Sequence, residues 1–194
     1  MSKEIAEKIE NNTAQICVMG LGQVGLPVAL SFCKAKFVVM GLDVNESHIN
    51  LLKKQKSPFK EPVLQELLTK YINENKFFPT QDSNVISNSD IIIVSVPTPI
   101  SEEIKPDLSF IKNACDTISK FELNDKLIII ESSIPPKTFE QLILPTLSKN
   151  ENNNFLASYI PERLSPGQAF EEIHTTSRVV GALDEESRIV SKAL

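Results

Sequence analysis

Three cysteines, Cys17, Cys33 and Cys115, are all that the 194-residue chain holds, and they share no close spacing. An odd, scattered set excludes a disulfide framework or a zinc cluster. Histidine is scarcer still. His48 and His174 stand far from each other and from any cysteine pair, so no metal site is expected. Long apolar runs are missing too, and none approaches the roughly 20 residues that a membrane helix needs. Residues 1–12 are charged and lack the apolar stretch of a secretion signal. Basic residues number 20 against 25 acidic, for a net charge of −5, and they form no stripe. That argues against nucleic acid as a partner. With no membrane segment either, the chain reads as cytoplasmic.

What is present is an ordinary globular composition, 41% hydrophobic and 23% charged, at a length that fits one domain. Strand-like and helix-like segments alternate, the pattern of a parallel sheet covered by helices. Strands are expected at 15–19, 37–42, 77–78, 91–96, 127–130, 155–160 and finally 178–181. Helices are expected at 23–35, 45–54, 61–73, 107–120 (with Asp107 as N-cap), 138–147 and 187–194, with a small polar helix or turn at 83–89. Residues 91–96 are apolar on both faces, which places them mid-sheet. Residues 151–154 are polar and read as a surface loop. The fold class is therefore α/β: a doubly wound, mainly parallel sheet of Rossmann type with helices on both faces. It occupies residues 14–194, behind a charged extension at 1–13.

The first strand runs into Gly20-Leu21-Gly22-Gln23-Val24-Gly25, a G-x-G-x-x-G turn followed by a helix. The pattern alone is weak, but here a strand precedes it, a helix follows it, and the next strand ends in Asp43. Gly20 permits the tight turn, Gly22 lets a pyrophosphate approach the backbone, and Gly25 lets helix and strand pack closely. The amides of Gln23 and Val24 open the helix and face the phosphates. Asp43 can accept hydrogen bonds from the adenosine ribose hydroxyls and would repel a 2′-phosphate, so NAD is expected over NADP. The plainer alternative is a glycine-rich turn that binds nothing.

Seven segments extend the match beyond the glycine turn: GLGQVGLPVA (20–29), EPVLQELL (61–68), DIIIVSVPTP (90–99), PDLSFI (106–111), ESSIPP (131–136), PERLSPG (161–167) and RVVG (178–181). In this order they resemble the UDP-glucose/GDP-mannose dehydrogenase family. PERLSPGQ looks most like the UDP-N-acetylmannosamine dehydrogenase-like branch, which oxidises UDP-N-acetylhexosamines. The resemblance implies oxidation of a UDP-sugar C6 alcohol to a carboxylate, with two NAD per turnover and a thioester on a cysteine. It implies that Pro97, Thr98 and Ser133 line the NAD site, with Ser133 where threonine is usual. It also implies that Glu162 handles the water that hydrolyses the thioester, and that Arg163 and Leu164 lie beside the substrate. Read from the residues alone, Glu162 is more simply an ion-pair partner of Arg163 or a lysine. Ser133 is more simply a cap or turn hydroxyl, and Glu61 a helix-start residue favoured by the dipole.

The departures are specific. The family's central helix, sugar-binding domain and catalytic-cysteine segment would all fall after Leu194, and the family dimerises through that helix. A partner half or a homodimer through it is therefore expected. Lys137 replaces a usual glycine, Gln23 an aromatic, His48 a lysine or arginine, and Ala182 the second glycine of a pair. The three cysteines read as small buried residues rather than nucleophiles, so the chain is expected to be incomplete for catalysis alone. The alternative is a non-catalytic module that binds NAD or a nucleotide sugar.

Overall fold

Four strands are short blocks of buried aliphatic residues, and their order places the site. The computed structural model describes residues 2–149, 154–165 and 168–194. Its strands are β1 (Gln15–Met19), β2 (Val38–Leu42), β3 (Phe77–Thr80), β4 (Ile91–Val94), β5 (Leu127–Ile130), β6 (Leu156–Tyr159) and β7 (Gly181–Ala182). They form one seven-stranded sheet in the order β3-β2-β1-β4-β5-β6-β7. The first six are mutually parallel, while β7 pairs antiparallel with β6 through Ser158–Ala182 and Tyr159–Gly181. The order reverses between β1 and β4, so a crevice opens there at the carboxyl ends of the strands.

The helices are α1 (Ser2–Glu10), α2 (Gly25–Lys34), α3 (Glu46–Lys53), α4 (Pro62–Asn73), α5 (Ser109–Ile118), α6 (Leu144–Leu147), α7 (Ala169–Glu172) and α8 (Glu185–Ala193). Alternation along the strands divides the core. Ile91, Ile93, Leu127 and Ile129 pack with residues of α1, α2, α4, α7 and α8 on one face. Ile92, Val94, Ile128 and Ile130 pack with α5 and α6 on the other. Among the described residues no helix is long and apolar enough to cross a membrane.

The structure corrects the sequence reading in several places. The stretch before residue 14 is not a bare extension. It holds α1, whose Ile5 and Ile9 are buried in the core, and Lys8 pairs with Asp90 at 2.8 Å beneath β4. The expected strand at 91–96 stops at Val94 because Ser95 and Val96 turn into the crevice. Asp107 is not the N-cap of α5. Leu108 holds that position, and Asp107 Oδ1 accepts from Ser109 N–H at 2.9 Å one residue earlier. The expected helix at 138–147 opens as a π turn, Phe139–Ile143, before α6. Pro145 has no N–H to give the carbonyl four residues back, and the wider turn relieves the clash of its ring. The expected strand at 178–181 is displaced: only Gly181–Ala182 pair, because Arg178 is drawn into the interior. Helix α8 begins two residues before the expected start, with Asp184 accepting from Ser187 N–H at 2.7 Å as its cap. Helix α7 was not anticipated. Of the expected loop at 151–154, residues 151–153 lie outside the described residues.

Candidate functional site

The glycine turn is dictated by contact distances. Gly20 has φ +89°, and a Cβ there would stand 2.5 Å from the Ser95 carbonyl oxygen. A Cβ on Gly25 would stand 1.8 Å from the Gly20 oxygen, so α2 can approach β1 only through a glycine. Around Gly22 the opposite holds: a Cβ would meet nothing within 4 Å. That open space faces the start of α2, where Gln23 is exposed and Val24 half-buried. The first-turn amides of a helix have no carbonyl preceding them in the helix and carry its positive end.

Asp43 ends β2 and braces this turn. Its Oδ2 accepts from Leu21 N–H at 2.7 Å and its Oδ1 from Asn45 N–H at 2.8 Å. A carboxylate has about four lone-pair positions, so each oxygen keeps capacity for another donor. Asn45 caps α3 by accepting from His48 N–H at 3.2 Å. Between β1 and β4 these residues line a cavity of about 510 Å³ that also includes Pro97, Gln81 and Thr117. Its volume and open Gly22 wall suit an extended dinucleotide.

Further along the same sheet edge, three loops are tied together. The Glu131 amide donates to Val94 O at 2.9 Å, Ser132 Oγ to Val96 O at 2.7 Å, and Thr98 Oγ1 to Ser133 O at 2.6 Å. The Glu162 amide donates to Glu131 O at 3.1 Å. Thr98, Ser133 and Glu162 thus stand on neighbouring loops past β4, β5 and β6, outside the cavity that holds Asp43. Ser133 is exposed and does not cap a helix. Glu162 is half-buried, and its Oε2 accepts from Leu164 N–H at 2.8 Å rather than pairing with the exposed Arg163. Pro166 and Gly167, the end of the PERLSPG segment, lie outside the described residues.

Sequence reasoning missed Glu131 and Arg178. Glu131 follows β5 directly and is only 3% exposed. One carboxylate oxygen pairs with the Arg178 guanidinium. Burial pushes the Glu131 carboxyl up, against the pull of Arg178 and with a further push from Glu162. A signal was available: like Asp43, Glu131 is the acidic residue that ends a buried aliphatic run.

The departures from the family pattern have visible consequences. Lys137 sits at φ +68°, a left-handed conformation that a glycine adopts without steric cost. His48 lines the cavity, its ring edge-on to Phe59. Ala182 carries half of the short β7 pairing. Glu61 occupies the N-cap position of α4 without a side-chain cap bond. The cysteines are all buried, and burial pushes the Cys17 and Cys115 thiols up to about 12 and Cys33 higher still. Among the described residues no group of three or more His, Cys, Asp or Glu could hold a metal ion.

Residues 14–194 match the model of the UDP-glucose/GDP-mannose dehydrogenase family NAD binding domain. The UDP-N-acetyl-D-mannosamine dehydrogenase of Methanocaldococcus jannaschii is 34% identical over 192 residues, which cover 96% of this chain and 44% of that protein. Among solved structures, a UDP-D-ManNAc dehydrogenase from Pyrococcus horikoshii superposes with a TM-score of 0.84 at 30% identity, over 92% of this chain and 44% of that one. An NDP-N-acetyl-D-galactosaminuronic acid dehydrogenase from Methanosarcina mazei gives 0.87 at 29% identity, over 97% and 43%. The chain thus spans less than half the length of these relatives. With the glycine turn, Asp43 and the sheet order already in place, the chain belongs to the UDP-glucose/GDP-mannose dehydrogenase family of NAD-dependent enzymes and carries its NAD-binding domain.

Proposed function

We propose that this chain is the NAD-binding part of a UDP-sugar 6-dehydrogenase acting on a UDP-N-acetylhexosamine. The observation that carries the cofactor half of the reading is the Gly22 wall, open for a pyrophosphate and braced by Asp43. The names of the similar mannosamine dehydrogenases support the substrate half. In this reading Gly20, Gly22, Gln23, Val24 and Gly25 receive the pyrophosphate, and Asp43 takes the adenosine ribose hydroxyls. Pro97, Thr98 and Ser133 line the approach to the nicotinamide. Bound NAD supplies the hydride acceptor. Glu162 takes a proton from the hydrolytic water, and Arg163 and Leu164 stand beside the sugar nucleotide. Since all three thiols are buried and held protonated by that burial, the acyl-carrying cysteine is supplied by another segment or a partner half, and these 194 residues do not complete the oxidation alone. Arrangement as one dinucleotide-binding unit over 14–194 belongs to the same proposal.

Calorimetric titration with NAD, NADP and the Asp43→Ala variant tests the cofactor assignment. Saturable NAD binding, weaker NADP binding and loss with the variant are expected. Absence of NAD binding would refute it. A second reading, a non-catalytic NAD or nucleotide-sugar module, is favoured by the same three unreactive cysteines. Complementation with the remaining half of a related dehydrogenase separates the two: restored oxidation of UDP-N-acetylmannosamine supports the enzyme.

A further inference from the structure

On the sheet face opposite the cleft, α2 and α8 stand apart over β4 and β5. Between them lies a second cavity of about 430 Å³, with Ile93, Ile129 and Ile160 as floor and Val28, Phe32 and Leu194 among its walls. Six polar side chains, Ser31, Glu131, His174, Arg178, Ser191 and Lys192, interrupt this lining, and two of them carry unpartnered oxygens. Ser31, on α2, is 9% exposed, and Glu131 is 3% exposed. Both line the cavity, and Ser31 Oγ and Glu131 Oε2 are buried without a hydrogen-bond partner among the described residues. The other Glu131 oxygen is held by Arg178. An unsatisfied buried oxygen is costly, and native proteins seldom leave two in one place. The slot opens to solvent beside the exposed His174 and Lys192, so water can satisfy the oxygens, but only at the cost of wetting the isoleucine floor.

The lining selects the chemistry of an occupant. Its body must be apolar and compact to meet the isoleucine floor. Its polar end must satisfy Glu131 Oε2, which burial and Arg178 pull in opposite directions between carboxyl and carboxylate. A hydroxyl donates and accepts, so it pairs with either form and with Ser31. An ammonium would meet the cations Arg178 and Lys192, which line the same slot, and a carboxylate would meet Glu131.

We infer that this slot is a binding site for a small apolar alcohol or phenol, its hydroxyl hydrogen-bonded to Glu131 Oε2 with Ser31 Oγ as a second polar contact. The site goes beyond the cofactor reading and shares no residue with the NAD cleft. It nevertheless touches the frame of the proposed active loop, because the Glu131 carbonyl accepts the Glu162 amide. A molecule seated there grips Glu162's support from behind the sheet.

The test is methyl NMR on the isoleucine-labelled chain, titrated with phenol and separately with toluene. Phenol is expected to shift the Ile93, Ile129, Ile160 and Ile173 methyls saturably, leaving Ile92 and Ile128 on the opposite face unmoved. Toluene lacks the hydroxyl and should bind about fivefold more weakly. Ser31→Ala and Glu131→Gln should each narrow that difference, and Ser31→Ala alone suffices if the glutamine variant unfolds. Equal binding of the two probes, shifts centred on the opposite face, or no saturable shift would overturn the proposal. An NAD titration of the same sample reads the opposite face, so failure of either assignment leaves the other standing.

Discussion

Replacing Arg178 by methionine leaves Glu131 buried with no counter-charge. The two side chains are 24% and 4% exposed, so the pair is mostly withdrawn from water and weakly screened. Removing one partner of a buried pair costs about 3–5 kcal/mol. Arg178 keeps some solvent contact, so we take the lower end, about 3 kcal/mol. For a domain of this size that lowers Tm by about 6–12 °C. The loss depends on pH, with a definite sign. The folded-state pKa of Glu131 lies above its ordinary value of 4.5. Its contribution to stability is therefore fully present below pH 4.5 and is lost as pH rises through the folded pKa. Without Arg178 that pKa rises further. The deficit of Arg178→Met should be smallest near pH 4.5 and grow as pH rises through the folded-state pKa. Pairing it with Glu131→Gln should recover much of the loss at neutral pH. Thermal unfolding followed by circular dichroism from pH 4.5 to 8 is the assay. A drop under about 2 °C, or one equally large at every pH, would refute the reasoning.

Gly22→Ala and Gly25→Ala should separate binding from folding. Gly22→Ala keeps its Tm, because its Cβ enters open space, yet weakens NAD binding about tenfold or more by calorimetry. Gly25→Ala collides with the Gly20 carbonyl and should cost about 1–3 kcal/mol or more in urea unfolding. Ile9→Ala, on α1, should cost about 2–4 kcal/mol by the same measurement, and near-wild-type stability would show that α1 is not part of the core. Lys137→Gly should raise Tm by about 2–4 °C, since it relieves about 1 kcal/mol of left-handed strain. Native protein should resist a thiol reagent at pH 8, with all three cysteines reacting only after unfolding.

The elements that the sequence exposed most fully are those set by neighbours in the chain. β1 and β5 fall on the expected residues, because a short aliphatic block between polar residues can do little but cross the sheet. The glycine turn was legible because left-handed and close-approach positions admit only one residue type, and Asp43 because it ends the following strand. The π turn was hidden: Pro145 announces a disturbance, but how the backbone absorbs it depends on α5 packed alongside. Helix α1 was hidden because Ile5 and Ile9 make an apolar stripe too narrow to read without α8 against it. The Glu131–Arg178 pair joins residues 47 positions apart, and no local pattern tells a buried carboxylate from an exposed one.

Sequence by itself therefore determined the fold class and the dinucleotide turn, which rest on steric or periodic constraints within a few residues, and it carried the motif segments whose resemblance pointed to the family. Only the tertiary structure decided which acid is buried and where two unpartnered oxygens face a largely apolar slot. Burial and pairing are properties of the residues that fold over a site, and those come from distant parts of the chain.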